Sequence, residues 1–201
     1  MTDPDLDSKK RALRREVRRR LKELPRSELE HAGQVVAAPL AAWLHHQVPP
    51  GPVALFAARP TELDTRALDA ALRASGRVRL LPVIESDHLV FRAVPPDVAA
   101  SDLPLDPLGI PTPPSSAPAV PLVAAALVVV PACAVDLHGR RLGWGKGFYD
   151  RALAARCVGG RALGTVALVH DSQVVDEVPV GPDDVLVERL CTPRRGLCAL
   201  P

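Results

Sequence analysis

Hydrophobic positions along the chain recur with two different periods. Leu13, Val17, Leu21 and Leu24 recur at i, i+4, i+8 and i+11, a spacing that lines them up on one stripe and predicts a helix over 9–24. On the same wheel Lys10 falls inside the stripe and Arg14 at its edge, while Arg11, Arg15, Arg18, Arg19 and Lys22 point into solvent. A second helix is predicted from Ser27, where Ser27-Glu28-Leu29-Glu30 has the spacing of a capping box. It should run to about His46, with a kink at Pro39, and Pro49-Pro50-Gly51-Pro52 should stop it.

From there short apolar runs alternate with helical stretches. Strands are predicted at 53–58, 77–83, 88–94, 122–130, 162–169 and 185–191, and helices at 65–75 and 148–157. The run 122–130 is continuously apolar, as in a strand covered on both faces. The alternation predicts a single α/β domain of three layers, α/β/α, with a largely parallel open sheet. Its expected bounds are 9–192, with a disordered tail at 1–8 and a C-terminal tail at 193–201. Between residues 94 and 121 lies a connection with nine prolines in 28 residues, long enough to be a functional loop or a stiff connector.

Composition narrows the class. A chain of 201 residues with 47% apolar residues supports one sizeable core. Aromatics are only 3%, so that core must be built from Leu, Val and Ala. Net charge is +2, but residues 9–26 hold ten Lys/Arg against Glu16 and Glu23. A basic helix therefore sits on a mildly acidic body. A nucleic-acid-binding module is one reading of that helix, but aromatic residues are not interleaved with its cations. The longest apolar run is nine residues, about half a membrane span, and no signal-peptide pattern opens the chain. Cys133, Cys157, Cys191 and Cys198 form no CxxC pair. These features predict a cytoplasmic protein that binds neither membrane nor nucleic acid; a monomer is expected over an oligomer, although none of these features bears on it.

The chemistry concentrates in Asp136-Leu-His-Gly-Arg-Arg-Leu-Gly-Trp-Gly-Lys-Gly-Phe-Tyr-Asp-Arg151. Gly143, Gly145 and Gly147 alternate between the most apolar strand and a helix. Such glycines permit positive φ, so that consecutive N–H groups converge on an anion. Lys146 and the pair Arg140/Arg141 add formal charge, and Asp150 is a hard oxygen donor for a metal that bridges phosphates. The pattern is neither a Walker A loop nor a GxGxxG fingerprint. A tight strand-to-helix turn without a ligand is the alternative. Glu62, beyond the first strand, lies where open α/β sheets bind ligands, and Asp64-Thr65 reads as a helix cap.

Arg141-Leu-Gly-Trp-Gly-Lys-Gly-Phe-Tyr-Asp150 closely resembles the signature of the 5-formyltetrahydrofolate cyclo-ligases, also called 5,10-methenyltetrahydrofolate synthetases. Lys10-Arg-Ala-Leu-Arg14, Phe56-Ala-Ala-Arg-Pro-Thr-Glu62-Leu-Asp-Thr65, Leu108-Gly-Ile-Pro-Thr-Pro113 and Val178-Pro-Val-Gly-Pro-Asp-Asp184 resemble further family segments in the same order. Thr112, Val135, Ala132 and Asp183 stand where the family more often has Glu, Phe, Gly and His.

The resemblance implies ATP- and Mg²⁺-dependent closure of 5-formyltetrahydrofolate to 5,10-methenyltetrahydrofolate through a phosphorylated formyl group. It implies an ATP site made by Lys10, Arg11, Arg14, Arg141, Leu142, Gly143, Trp144, Gly145, Lys146, Gly147, Phe148 and Tyr149. Lys146 and Arg151 would be catalytic, Ala57, Glu62, Trp144 and Phe148 would contact the folate, and Asp150 and Asp184 would hold the metal. Another ATP-dependent amide- or carboxylate-activating enzyme on this scaffold and an inactive nucleotide-binding paralogue remain as alternatives.

Overall fold

The computed structural model describes the backbone of residues 4–201 and all of their side chains except those of Pro4 and Arg161. The first helix, α1 (Pro4–Glu23), begins well before residue 9. Asp5 and Asp7 in its first turn favour the positive end of the helix dipole, and Asp5 pairs with Lys9 one turn on (2.6 Å). Residues 4–8 are thus helix rather than tail, and residues 1–3 lie outside the described residues. The second helix, α2 (Arg26–Gln47), starts from Pro25, whose extended ψ of 147° sets the entry. Ser27 falls inside the helix and caps nothing, so the expected capping box does not form. The helix continues through Pro39.

Strand β1 (Val53–Ala54), helix α3 (Arg66–Ala74) and strands β2 (Arg79–Glu85) and β3 (His88–Ala93) follow. Then come β4 (Leu127–Val130) and a small hairpin of β5 (Ala134–Val135) and β6 (Arg141–Leu142). Helix α4 (Phe148–Leu153), β7 (Cys157–Val158), β8 (Arg161–Leu168), β9 (Leu186–Thr192) and β10 (Gly196–Ala199) complete the chain. The large sheet runs β10-β9-β8-β4-β1-β2-β3. Its five central strands, β9 to β2, are mutually parallel, and β10 and β3 add antiparallel edges. Residues expected as a C-terminal tail are therefore an edge strand, turned back at Gly196 (φ +64°).

Two cores follow from the alternation of the central strands. Val53, Leu55, Leu127 and Val129 face α2 and α3 on one side. Ala54, Val128 and Val130 face Leu153 of α4 and Phe91 of β3 on the other. All four residues of β4 are at most 1% exposed, as a strand covered on both faces requires. A third cluster seats α1: Val17 and Leu21 pack with Cys133, Ala134, Leu142 and Val178. Full burial of those two aliphatic side chains contributes about 2–3 kcal/mol each. It fixes the basic helix against the hairpin rather than against the sheet.

The helix predicted at 148–157 is shorter than expected, its last turn tightening into a 3-10 turn at Ala154–Arg156. The Arg156 guanidinium donates to the carbonyls of Leu122, Ala125 and Leu163. That anchor pulls the chain out of the helix and into the β7–β8 hairpin, whose Gly159 and Gly160 both have positive φ. The start of the proline-rich connection is likewise held by a buried cation. Arg79, 1% exposed, pairs with Asp69 (2.8 Å) and donates to the carbonyls of Pro95, Pro96 and Val98.

Candidate functional site at the carboxyl edge of the sheet

Beyond the carboxyl ends of β1 and β4, two segments face each other. The first is the run from Phe56 to Thr65. It is pinned by Thr65 Oγ1 donating to the Phe56 carbonyl (2.8 Å) and by Asp64 N–H donating to the Leu29 carbonyl of α2 (3.2 Å). Gly33 of α2 allows this approach, since a Cβ there would stand 2.1 Å from the Asp64 carbonyl oxygen. The second segment is the turn Gly143–Gly147 between β6 and α4. Its base is set by Asp136, 0% exposed, which accepts from the N–H groups of His138, Arg140 and Val178 and from Arg140 Nε (2.6 Å). Arg140 is consumed by this role and by Glu177 (3.1 Å), and is not available to an anion in the turn.

The turn is held from outside by its oxygens. Arg14 Nε donates to the Gly143 carbonyl (2.8 Å), Arg18 Nη2 to that of Trp144 (3.2 Å) and Arg151 Nη1 to that of Lys146 (3.1 Å). Arg151 also donates to the Asp87 carbonyl in the β2–β3 turn (2.9 Å) and lies over the Phe148 ring. The backbone N–H groups of residues 143–147, by contrast, meet no acceptor among the described residues. Gly145 (φ +112°) and Gly147 (φ +64°) adopt the left-handed conformations expected of them, whereas Gly143 does not. Gly143 is small for another reason: a Cβ there would stand 3.1 Å from Arg141 Nη1.

Two ion pairs border the turn. Arg141, with 1% of its side chain exposed, bonds Asp150 at 2.5 Å. Lys10 bonds Asp184, which also accepts the Gly181 N–H. Each pair joins an expected nucleotide-contacting cation to an expected metal-binding carboxylate. Burial lowers the pKa of Arg14, with Arg18 nearby adding repulsion and Asp184 opposing it.

On the facing segment, Glu62 is 5% exposed and takes three donors: Arg59 N–H (2.9 Å), Arg59 Nη2 (2.9 Å) and Trp144 Nε1 (2.7 Å). The indole thus links the two segments directly. Ala57 is half-buried and lines, with Phe56, Thr65, Ser101 and Pro111, a cleft of about 110 Å³.

Several expected residues sit differently. Arg11 is exposed, and the helix cations that touch the turn are Arg14 and Arg18. Arg18 is exposed, as expected, and from that flank of α1 it also reaches the Trp144 carbonyl. Leu142 is 2% exposed and belongs to the core under α1, so its side chain is packing. Tyr149 packs edge-on against Phe91, and its buried hydroxyl has no hydrogen-bond partner. Burial pushes that hydroxyl's pKa up. Lys146 is exposed on the turn, and Phe148 is half-buried beneath Arg151. Arg59 and Asp136 are the participants whose roles sequence reasoning missed. For Asp136 the signal was present, an Asp three residues before a Gly at a hairpin turn.

No group of three His, Cys, Asp or Glu side chains converges on a metal site among the described residues. Asp150 and Asp184 are nonetheless hard oxygen donors, and Mg²⁺ typically takes one or two protein carboxylates and completes its shell with water and phosphate. The donor chemistry fits that ion.

These features define a class: an open-sheet α/β protein with a cation-buttressed, glycine-rich turn at the carboxyl edge of its parallel strands. Comparison with known proteins places it within that class. The family model of the 5-formyltetrahydrofolate cyclo-ligases matches residues 6–193. The chain belongs to that family of ligases. A 5-formyltetrahydrofolate cyclo-ligase of Mycolicibacterium smegmatis is 42% identical over 88 residues, a match covering 44% of this chain and 44% of that protein. The Escherichia coli enzyme of the same name is 33% identical over 147 residues, 71% of this chain and 78% of its own length. In three dimensions the chain is similar to the solution structure of Aquifex aeolicus 5,10-methenyltetrahydrofolate synthetase. The TM-score is 0.74 at 25% identity, covering 95% of this chain and 92% of that one. No helix among the described residues is long and apolar enough to cross a membrane.

Proposed function

We propose that the protein catalyses the ATP-dependent closure of 5-formyltetrahydrofolate to 5,10-methenyltetrahydrofolate, with release of ADP and phosphate. The observation that carries this reading is the polarity of the turn. Its carbonyls are committed to Arg14, Arg18 and Arg151, and its N–H groups at 143–147 are left for a ligand. A row of such donors beside Lys146 suits the oxygens of a polyphosphate. Family membership supports the folate as the second substrate.

The chemistry explains the need for ATP. The formyl group on N5 is an amide, and its oxygen is a poor leaving group. Transfer of the γ-phosphoryl group to that oxygen forms a C–O–P bond and releases ADP. N10 then attacks the activated carbon and loses its proton, and the C–O bond breaks as phosphate departs. Such transfer relies on positioning and charge neutralisation more than on a protein nucleophile. Lys146, exposed on the turn, supplies charge to the transferring group. Lys10 and Arg14 approach from α1, and Arg151 holds the turn at the Lys146 carbonyl. Asp150 and Asp184 would hold Mg²⁺, which supplies neutralisation of phosphate oxygens. Glu62 and Trp144 bind the pterin, with Ala57 and Phe148 beside it. The four unpaired cysteines suit the reducing cytoplasm that this reading assigns to the protein.

The test is direct. Protein mixed with MgATP and 5-formyltetrahydrofolate should develop the near-UV absorbance of the methenyl product, one ADP per product formed. Absence of that absorbance in folded protein would refute the reading.

A further inference from the structure

Arg59 has no part in the reaction as described, yet it fills the place assigned to the substrate. Its N–H and its Nη2 occupy both oxygens of Glu62, each at 2.9 Å. Its guanidinium carbon lies 4.2 Å from the centroid of the Trp144 ring, and the same indole donates to Glu62 Oε1. One guanidinium N–H, from a group lying over the indole, and one backbone N–H thus occupy the two oxygens of the buried carboxylate. The pyrimidine edge of a reduced pterin offers a comparable pair of donors, its ring N3–H and 2-amino group, on a flat ring. Both are donors that a carboxylate accepts side by side, and both stack on aromatic faces.

We infer that Arg59 is an internal stand-in for the pterin, which occupies Glu62 and Trp144 until substrate displaces it. This rests on the folate reading above. The two partners differ in freedom: the Arg59 side chain is 36% exposed and has a path into solvent, whereas that of Glu62 is 6% exposed and stays. The site is therefore divided between a closed state, with Arg59 on Glu62, and an open state that takes substrate. Apparent affinity is the intrinsic affinity reduced by the open fraction. The closed state also keeps the carboxylate paired while the site is empty, where an unpaired buried charge would be costly.

The test is calorimetric binding of 5-formyltetrahydrofolate, without nucleotide, to the parent protein, Arg59→Ala, Arg59→Lys and Glu62→Gln. Arg59→Ala should bind more tightly, on the order of fivefold, while its affinity for ATP stays at the parent value. Arg59→Lys, whose ammonium can still donate to Glu62 but has no planar group to lay over the indole, should fall between the two. A merely structural role would weaken binding or leave it unmoved, and either result in Arg59→Ala would overturn the inference while the folate reading stood. If the parent does not bind the folate, or Glu62→Gln binds as well as the parent, the folate reading fails and takes this inference with it. Should Arg59→Ala not fold, Arg59→Lys alone decides by the same sign.

Discussion

Arg141 and Asp150 form an ion pair across the base of the glycine turn, 2.5 Å apart, with the arginine side chain 1% exposed. The pair locks α4 to β6 and so fixes the two ends of the turn relative to each other. Its partners also belong to different expected roles, nucleotide contact and metal ligation. Under the proposed function the same carboxylate would both support the fold and offer an oxygen to Mg²⁺.

Asp150→Asn should register on both counts. Removing the charge leaves a buried guanidinium without its counter-ion, at a cost of roughly 3–5 kcal/mol. Urea unfolding should show that loss. At saturating ATP, the Mg²⁺ concentration giving half-maximal rate should rise. An unchanged Mg²⁺ titration in a folded variant would remove Asp150 from the metal site.

Lys146→Ala should behave in the opposite way. The side chain is exposed and supports no part of the core, so the thermal midpoint should not move. Turnover should fall by about 10²–10³, the usual scale for loss of one group that stabilises developing charge. Near-full turnover in the variant would assign the transferring phosphate to another cation.

Of the fold, the elements with strong internal periodicity were legible. Val17 and Leu21 fall on one helical stripe, and both are buried. Leu127–Val130 is continuously apolar, and it is the central strand. What the pattern hid depends on contacts distant in sequence. The edge strand Gly196–Ala199 has four residues and pairs only because β9 is already in place. The helix at Phe148 ends early because Arg156 finds three carbonyls elsewhere. The capping box at Ser27 failed because Pro25 sets the helix start ahead of it. In the site, the glycine turn was legible from its spacing and cations. Arg18 was not, because a wheel drawn for α1 alone cannot show where the Trp144 carbonyl will stand. Nor was Arg59, whose role appears only once Glu62 and Trp144 are brought together.

Acid stability should report Asp64. Burial pushes this carboxyl up, but hydrogen bonds from the Arg66 side chain and N–H and the charge of Arg26 outweigh it, and its pKa lies below the ordinary carboxylate value. A depressed folded pKa gives stability that is present above the unfolded value, about 3.9. That stability is lost as pH falls through the folded value. Unfolding free energies from about pH 5 to about pH 2 should therefore decline less steeply in Asp64→Asn than in the parent. Parallel curves would deny the pairing.

Thiol chemistry should separate the four cysteines. Burial pushes Cys133 up to about 11, although Arg18, Arg14 and Arg59 pull it the other way, and pushes Cys191 up to about 12. Both are buried, whereas Cys157 and Cys198 are partly exposed. An alkylating reagent near pH 8 should modify Cys157 and Cys198 first. Cys133 and Cys191 should react only at the rate of unfolding, as peptide mass spectrometry would show. Early labelling of Cys133 would mean that α1 detaches readily from the hairpin.

The central claim is that the turn from Gly143 to Gly147 holds the polyphosphate of ATP by its backbone N–H groups. Amide chemical shifts recorded while a non-hydrolysable ATP analogue with Mg²⁺ is titrated in test it most directly. The largest shifts should fall on residues 143–147, with matching protection from hydrogen exchange. Saturable nucleotide binding that leaves those five amides unmoved would contradict the account.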